Sequence, residues 1–312
     1  MEPLWKPCTT MTERFSDLVY LKQYRVMAED TAPIVIGGVG GSGTRLVASL
    51  LPGFGVELPG LMNDALDNMW FSLLFVRRSI LLKPRAEISA LCWMFSRLMR
   101  HNEAVPAELL SMLSEAAEFD RGPALNKAML NEALESILSL LPSESEKDLS
   151  LETPWGWKQP NSHVMLPMLN QYFPNMKYIY VARNGLDMAF SANQNQLRYF
   201  WGDLLLEGDF SVTPRNSLRY WVAAFKRVLG DKALLGDRLH ILNFDALCDQ
   251  PASELARLKQ FLELDVDSGV LSSLADSIVK PASRGRHAKQ DCSQFDSADI
   301  DFVRAAGFDV QV

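Results

Sequence analysis

The stretch PIVIGGVGGSGTRLVASLL, Pro33–Leu51, joins an apolar β-branched run to a glycine-rich turn and then to an amphipathic segment. Ala32–Gly38 reads as a buried strand, because a short apolar run of this kind closes in glycines. Leu46, Val47, Leu50 and Leu51 then recur at helical spacing until Pro52 stops the run. The turn between them, GVGGSGTR from Gly38 to Arg45, has the Gly-x-x-x-x-Gly frame of a nucleotide-binding P-loop. Successive backbone N–H groups in such a turn form an anion-binding nest, and the following helix points its positive end at the same spot. Glycines keep side chains from holding a phosphate away from those amides. A loop that grips a triphosphate continues with Lys and then Ser or Thr, for the β- and γ-phosphates and for magnesium. Here those positions are Thr44 and Arg45. The usual magnesium-triphosphate machinery is missing, while a cradle for a single phosphate remains. Taken alone, the same residues also fit a tight turn that binds nothing.

Working outward, three further runs read as strands. They are the tip WGWK (Trp155–Lys158), MKYIYVA (Met176–Ala182) and RLHILNF (Arg238–Phe244). Helical stretches separate them, around Val164–Phe173, Leu186–Tyr199, Ser217–Leu229 and Pro251–Leu262. Alternation of this kind predicts an α/β fold of P-loop type, with a mostly parallel sheet flanked by helices. Between about Arg85 and Leu141 the pattern is helical, with Leu130, Leu134, Ile137, Leu138 and Leu141 on one face. The expected organisation is one domain over 1–312, with its core at about 32–290 and a helical insertion at about 83–148. Ligands of such sheets sit beyond the carboxyl ends of the strands. The glycine loop, Lys158 and Arg183 all fall there.

Composition narrows the class. Acidic residues outnumber basic ones 38 to 31, a net charge of −7, so no global attraction to nucleic acid or anionic membranes is expected. Cys8, Cys92, Cys248 and Cys292 form no CxxC pair or metal spacing, and reduced thiols are expected. The opening MEPLWKPCTTMTERF is polar and broken by prolines, unlike a secretory signal. The longest apolar run, Met69–Val76, ends at Arg77 and Arg78, too short to cross a bilayer. The expectation is a cytoplasmic protein.

With these motifs in hand, a resemblance is visible. GGVGGSGTRLVASLL is similar to the 5′-phosphosulfate loop of sulfotransferases that use 3′-phosphoadenosine 5′-phosphosulfate (PAPS). MKYIYVARNGLDMAFSANQNQL resembles their second signature, an aromatic strand, an arginine and a serine eight residues later; Arg183 and Ser191 keep that spacing. The stretch from Trp155 to Gly185 resembles the lysine–proline region of tyrosylprotein and bacterial members. LHILNFDALCDQPASELARLKQFLEL and KPASRGRHAK resemble the late strand–helix unit and the C-terminal basic loop. The likeness runs from about Pro33 to Lys289, with a weaker middle. It implies sulfuryl transfer from PAPS to an acceptor hydroxyl, with no metal required. Two departures stand out. Gly41 occupies a position where many members carry Lys or Arg, and Pro160 sits where cytosolic members often place a catalytic histidine.

The resemblance assigns roles residue by residue. Gly40, Gly41, Ser42, Gly43, Thr44 and Arg45 would hold the 5′-phosphate; Ser42 also fits a plain helix cap. Lys158 would stabilise the leaving oxygen, with Trp155 and Trp157 around it. Arg183 and Ser191 would hold the 3′-phosphate, joined by Arg284, Arg286 and the nearby Ser283; Arg183 could instead pair with Asp187 four residues on. For the base, Asp64 and Asp67 in LPGLMNDALDNMWF lead, with Glu57 and His163 behind, and the same segment also reads as a polar helix start. A small-molecule kinase and a nucleotide-binding module without turnover are the alternatives. The acceptor class, whether alcohol, sugar, lipid or tyrosyl peptide, stays open, as does oligomeric state.

Overall fold

The structure, a computed structural model, describes residues 32–101, 105–118, 121–140 and 153–310. Its centre is a four-stranded sheet in the order β2-β1-β3-β4, where β1 is Ile34–Gly38, β2 Gly156–Lys158, β3 Lys177–Ala182 and β4 Leu239–Asn243. Every neighbouring pair is parallel, with Ile36 opposite Lys158 and Ile179, and Ala182 opposite Asn243. Parallel neighbours need crossovers, which here are helical, as the alternating sequence pattern predicts. The carboxyl ends of all four strands therefore share one edge, where Gly38, Lys158, Ala182 and Asn243 lie.

The pleat sends alternate residues to opposite faces. Val35, Tyr178 and Tyr180 enter a large aromatic core, whereas Ile34, Ile36, Ile179 and Val181 enter a second, aliphatic one. The aliphatic face is covered by the helices Thr44–Leu50 and Pro251–Leu262, through Val47, Leu255 and Leu258. Trp155 and Trp157 belong to the aromatic core, where Trp157 stacks on Phe71 at 5.5 Å and meets Phe95 and Phe173 edge-on. The expectation that they surround Lys158 is corrected by the pleat: neighbouring residues on a strand point apart.

The helical middle consists of Arg85–His101, Leu110–Glu118 and Lys127–Leu138, packed around the helix Met69–Phe75. Its inward face is Leu130, Ala133 and Ile137; Leu138 is half exposed, because it falls off that stripe, and Leu141 lies outside the described residues. Arg121 is buried and donates to the carbonyls of Ser72, Leu73 and Ala116. It thereby ties carbonyls in the last turn of the Met69–Phe75 helix to one in the Leu110–Glu118 helix. Burial and the nearby Arg77 pull its pKa down to about 9, which it can bear while those carbonyls hold it.

Two expected helices come out in pieces. Val164–Phe173 is a 3₁₀ segment, Pro160–Met165, followed by the helix Leu166–Tyr172. Leu186–Tyr199 breaks after the short helix Gly185–Ala189, and a π-helix resumes at Gln196–Trp201. The break falls on SANQN, whose side chains bond their own backbone: Ser191 Oγ accepts from Asn193 N at 3.2 Å. Such local bonds compete with helix continuation. No described helix is long and apolar enough to cross a membrane.

Candidate active site

The turn after β1 is built on glycines at φ values side chains avoid. Gly41 has φ 92° and Gly43 φ 99°, and a Cβ at Gly43 would lie 2.1 Å from the Phe244 ring. Phe244, just after β4, thus holds the loop closed from one side. Ser42 donates its amide to Val39 O at 3.0 Å and is fully buried, with its hydroxyl unpartnered. The helix Thr44–Leu50 begins with Gly43 as N-cap and no side-chain capping bond, so the expected capping role of Ser42 is not used. Thr44 is buried and Arg45 exposed. Ser191 reaches this loop from the far side, its hydroxyl 3.6 Å from where a Cβ on Gly41 would stand.

Lys158 ends β2 and is buried, 3% exposed. Its ammonium donates to the Asp67 carboxylate and to Ala65 O at 2.9 Å. Burial pushes its pKa down, Asp67 opposes that, and Arg45 adds a further downward push. Asp67 is held in turn by its backbone: its amide donates to Asn63 Oδ1 at 2.9 Å, and Ala65 N to the same oxygen at 3.0 Å. Leu66 takes a left-handed φ of 61° to make this tight turn. Asn68 is the true helix cap, accepting from Phe71 N at 2.8 Å and donating its own amide to Lys158 O at 2.8 Å. The polar segment is therefore both a helix start and a docking loop for Lys158. Asp64, by contrast, is exposed.

Arg183 follows β3 and is buried, 6% exposed, with burial lowering its pKa. Its Nη2 donates to Ser283 Oγ at 2.9 Å, its guanidinium lies 5.5 Å from the Phe244 ring centroid, and its Nε has no partner. Asp187 approaches it only to 3.9 Å. The better partners of Asp187 are in the C-terminal loop: His287 Nδ1 at 2.7 Å, His287 N at 3.1 Å and Gly285 N at 2.7 Å. A buried aspartate thus ties the basic loop against the helix Gly185–Ala189 that follows β3. Within that loop the two arginines part company. Arg286 is half-buried and donates to Ser283 O and Phe190 O, beside Arg183. Arg284 turns to Asp245 at 2.9 Å and Asp249 at 2.6 Å, which raise its pKa, so its charge is already matched.

A cleft of about 90 Å³ opens between the loop and the helical middle. Gly40, Asp67, Gln159, Asn193, Gln196 and Leu125 are among its lining. His163 lies beneath it, fully buried, with Nε2 3.3 Å from Gln196 Oε1, and burial pulls its pKa down to about 4. Gln196 also donates to Gly38 O at 3.1 Å and accepts from Tyr220 at 3.3 Å. Glu57 spends its backbone on a bridge to Trp155 and leaves its side chain exposed. The sequence reading missed Gln159 and Gln196, since a lone amide carries no spacing signal. Among the described residues no group of three His, Cys, Asp or Glu side chains is placed to hold a metal ion.

Comparison with known proteins bears on this arrangement. The profile of a sulfotransferase family matches residues 33–268. The chain belongs to the sulfotransferase family. The class transfers a sulfuryl group from PAPS, which decides against the kinase alternative. Solved structures of similar fold include sulfotransferase STF9 from Mycobacterium avium, at 13% identity, covering 96% of this chain and 83% of that one, with a TM-score of 0.43. The sulfotransferase domain from the curacin biosynthetic pathway is 16% identical, with coverage of 92% and 100% and a TM-score of 0.46. Mouse sulfotransferase SULT7A1 complexed with PAP is 14% identical, with coverage of 85% and 69% and a TM-score of 0.39. The assignment rests on the profile rather than on these. No curated protein matches the chain by sequence.

Proposed function

We propose that this sulfotransferase uses Asp67 as the base and Lys158 as the charge-stabilising group, with PAPS held by the β1 loop and by Arg183. One observation carries the proposal: Asp67 binds Lys158 and also lines the cleft that Gly40 of the loop lines. PAPS supplies the sulfuryl group and a 5′-phosphate leaving group. The loop suits an anion there, because Ser42 Oγ is a buried polar atom lacking a protein partner and the amides around Gly41 and Gly43 carry no side chain over them. Arg183 Nε is a second unpartnered buried donor, and with Ser191, Ser283 and Arg286 it makes a site for the 3′-phosphate. Arg284, matched by two carboxylates, is assigned to holding the loop in place.

At rest, Lys158 and Asp67 neutralise each other. When Asp67 takes the proton of an acceptor hydroxyl, its negative charge disappears, and the Lys158 ammonium keeps only the Ala65 carbonyl. Its charge then becomes available to the leaving oxygen as negative charge builds there. Proton removal and leaving-group stabilisation are coupled in one ion pair. His163 is not the base in this scheme, being fully buried and fixed on Gln196. The described residues of the insertion, 83–101, 105–118 and 121–140, act as a cover within a single domain, contributing Ala124 and Leu125 to the cleft wall.

Calorimetry with adenosine 3′,5′-bisphosphate (PAP) and with ATP–Mg tests the core of this reading. Tight PAP binding with no ATP binding is expected. Preference for ATP would overturn it, and so would loss of sulfuryl transfer on adding EDTA.

A further inference from the structure

Carboxylates hold the C-terminal basic loop, and one of them stands where an anion is least expected. Asp245 and Asp249 pair with Arg284 on the outer side of the loop. Asp187 is different: it is 1% exposed, and its Oδ2 lies 3.9 Å from Arg183 Nη2. A carboxylate there offsets part of the charge of a guanidinium assigned to a phosphate, so electrostatics alone argues against its presence. Its own bonds account for it. Oδ2 accepts from Gly285 N at 2.7 Å, and Oδ1 accepts from His287 N at 3.1 Å and from His287 Nδ1 at 2.7 Å. All three donors belong to one turn, 98 to 100 positions along the chain, which Gly285 enters at φ 68°. A buried carboxylate that accepts several N–H bonds from one turn fixes the shape of that turn.

Anchored and ligand-facing positions are interleaved along this loop. Arg284, Gly285 and His287 are tied to carboxylates, whereas Ser283 and Arg286 are not. Ser283 Oγ accepts from Arg183 Nη2 at 2.9 Å. Arg286 donates to Ser283 O at 3.0 Å and to Phe190 O at 3.2 Å, and has no carboxylate partner among the described residues. Burial lowers the Arg183 pKa, Asp187 opposes that, and the Arg286 charge lowers it further. The two guanidinium groups repel each other, so a loop without its anchors would carry Arg286 away from Arg183. We infer that Asp187 is a positioning residue: through Gly285 and His287 it holds the loop so that Ser283 and Arg286 join Arg183 on the 3′-phosphate. This rests on the assignment of Arg183 to the 3′-phosphate proposed above.

The sign of the effect tests this. Calorimetry on the full chain compares PAP with adenosine 5′-phosphate for wild type, Asp187→Asn and His287→Ala. As a bare charge, Asp187 works against a bound anion, and removing it would tighten PAP binding. As a positioning residue, its loss should weaken PAP by about tenfold or more and leave adenosine 5′-phosphate within about twofold. His287→Ala removes one anchor and leaves the Asp187 and Arg183 charges in place; it should weaken PAP selectively by about threefold or more. Both act through one loop, so the double variant should be within about twofold of Asp187→Asn alone. Tightened or unchanged PAP binding in Asp187→Asn overturns the inference, and so does equal weakening of both ligands, which marks a general folding role. If Asp187→Asn does not fold, His287→Ala decides by the same comparison. A wild type without preference for PAP sinks the 3′-phosphate assignment and this inference with it; a preference that both variants keep sinks the inference alone.

Discussion

Asp64 and Asp67 are the same residue type three positions apart, and the structure separates them sharply. Asp67 holds the buried Lys158 ammonium; Asp64 faces solvent. Replacing each with Asn therefore removes one carboxylate charge while keeping its shape. A positioned general base contributes about 10²–10⁴-fold, which corresponds to about 3–5 kcal/mol of barrier. Asp67→Asn should lose turnover in that range. It also strips the counter-charge from Lys158, whose pKa burial and Arg45 already press down, so part of the loss arises from the lysine shedding its proton. Asp64→Asn should stay within about twofold, as exposed substitutions away from a site generally do. The assay is single-turnover transfer at saturating PAPS, with PAP calorimetry confirming that each variant keeps its nucleotide site. Groups that act as a unit are grossly non-additive. The double variant Asp67→Asn/Lys158→Met should therefore be little worse than Asp67→Asn. The reasoning fails if Asp64→Asn costs as much as Asp67→Asn, or if the two losses at Asp67 and Lys158 multiply.

Three further outcomes are expected. Arg183→Ala should remove most of the preference for PAP over adenosine 5′-phosphate, about tenfold to a hundredfold in calorimetric affinity, and leave the monophosphate unchanged; equal weakening of both would place Arg183 in folding rather than recognition. Gly43→Ala should abolish PAP binding before it unfolds the chain, because its methyl would strike the Phe244 ring and force the loop amides apart; Gly43→Ala with Phe244→Ala should recover part of that binding. For His163 the folded pKa, about 4, lies below the ordinary value of about 6.5, so between those limits the unfolded chain binds more protons. Stability should fall by about 3 kcal/mol as pH drops from about 6.5 to 4 and be flat above that window; melting curves of His163→Gln against wild type should show the slope vanish.

Much of the fold was written in short-range patterns. The strand–glycine–helix run at Pro33–Leu51, the aromatic strand before Arg183 and the helix Pro251–Leu262 all carry a period and a stop signal, and all appear where those signals put them. What the sequence hid depends on partners far along the chain. Asp67 and Lys158 meet across 91 positions, and Asp187 finds His287 across 100. Nothing in the local spacing of Asp187 separates that partner from the Arg183 four residues away. The split of Arg284 from Arg286 was equally invisible, since Asp245 and Asp249 lie 39 and 35 positions away from Arg284. The tryptophans beside Lys158 misled for a different reason: sequence proximity on a strand means opposite faces, and the large residues went to the core.

The missing P-loop lysine now has a physical account within the proposed mechanism. A triphosphate concentrates charge along one line, and a lysine rooted in the loop meets it there. Here the cationic groups sit instead on three neighbouring strand ends: Arg45 after β1, Lys158 on β2 and Arg183 after β3. That spread suits a ligand with two anionic groups at separate places better than one with a single chain of phosphates. It also lets each charge be governed separately. Lys158 is held in check by a carboxylate that itself titrates during the reaction, whereas Arg183 is fixed beside Phe244 and Ser283, and its carboxylate neighbour Asp187 stands 3.9 Å away, tied to His287. A lysine in the loop would sit against the phosphate throughout, stabilising bound substrate and leaving group alike. One released only on proton transfer stabilises the transition state selectively, and only that difference raises the rate.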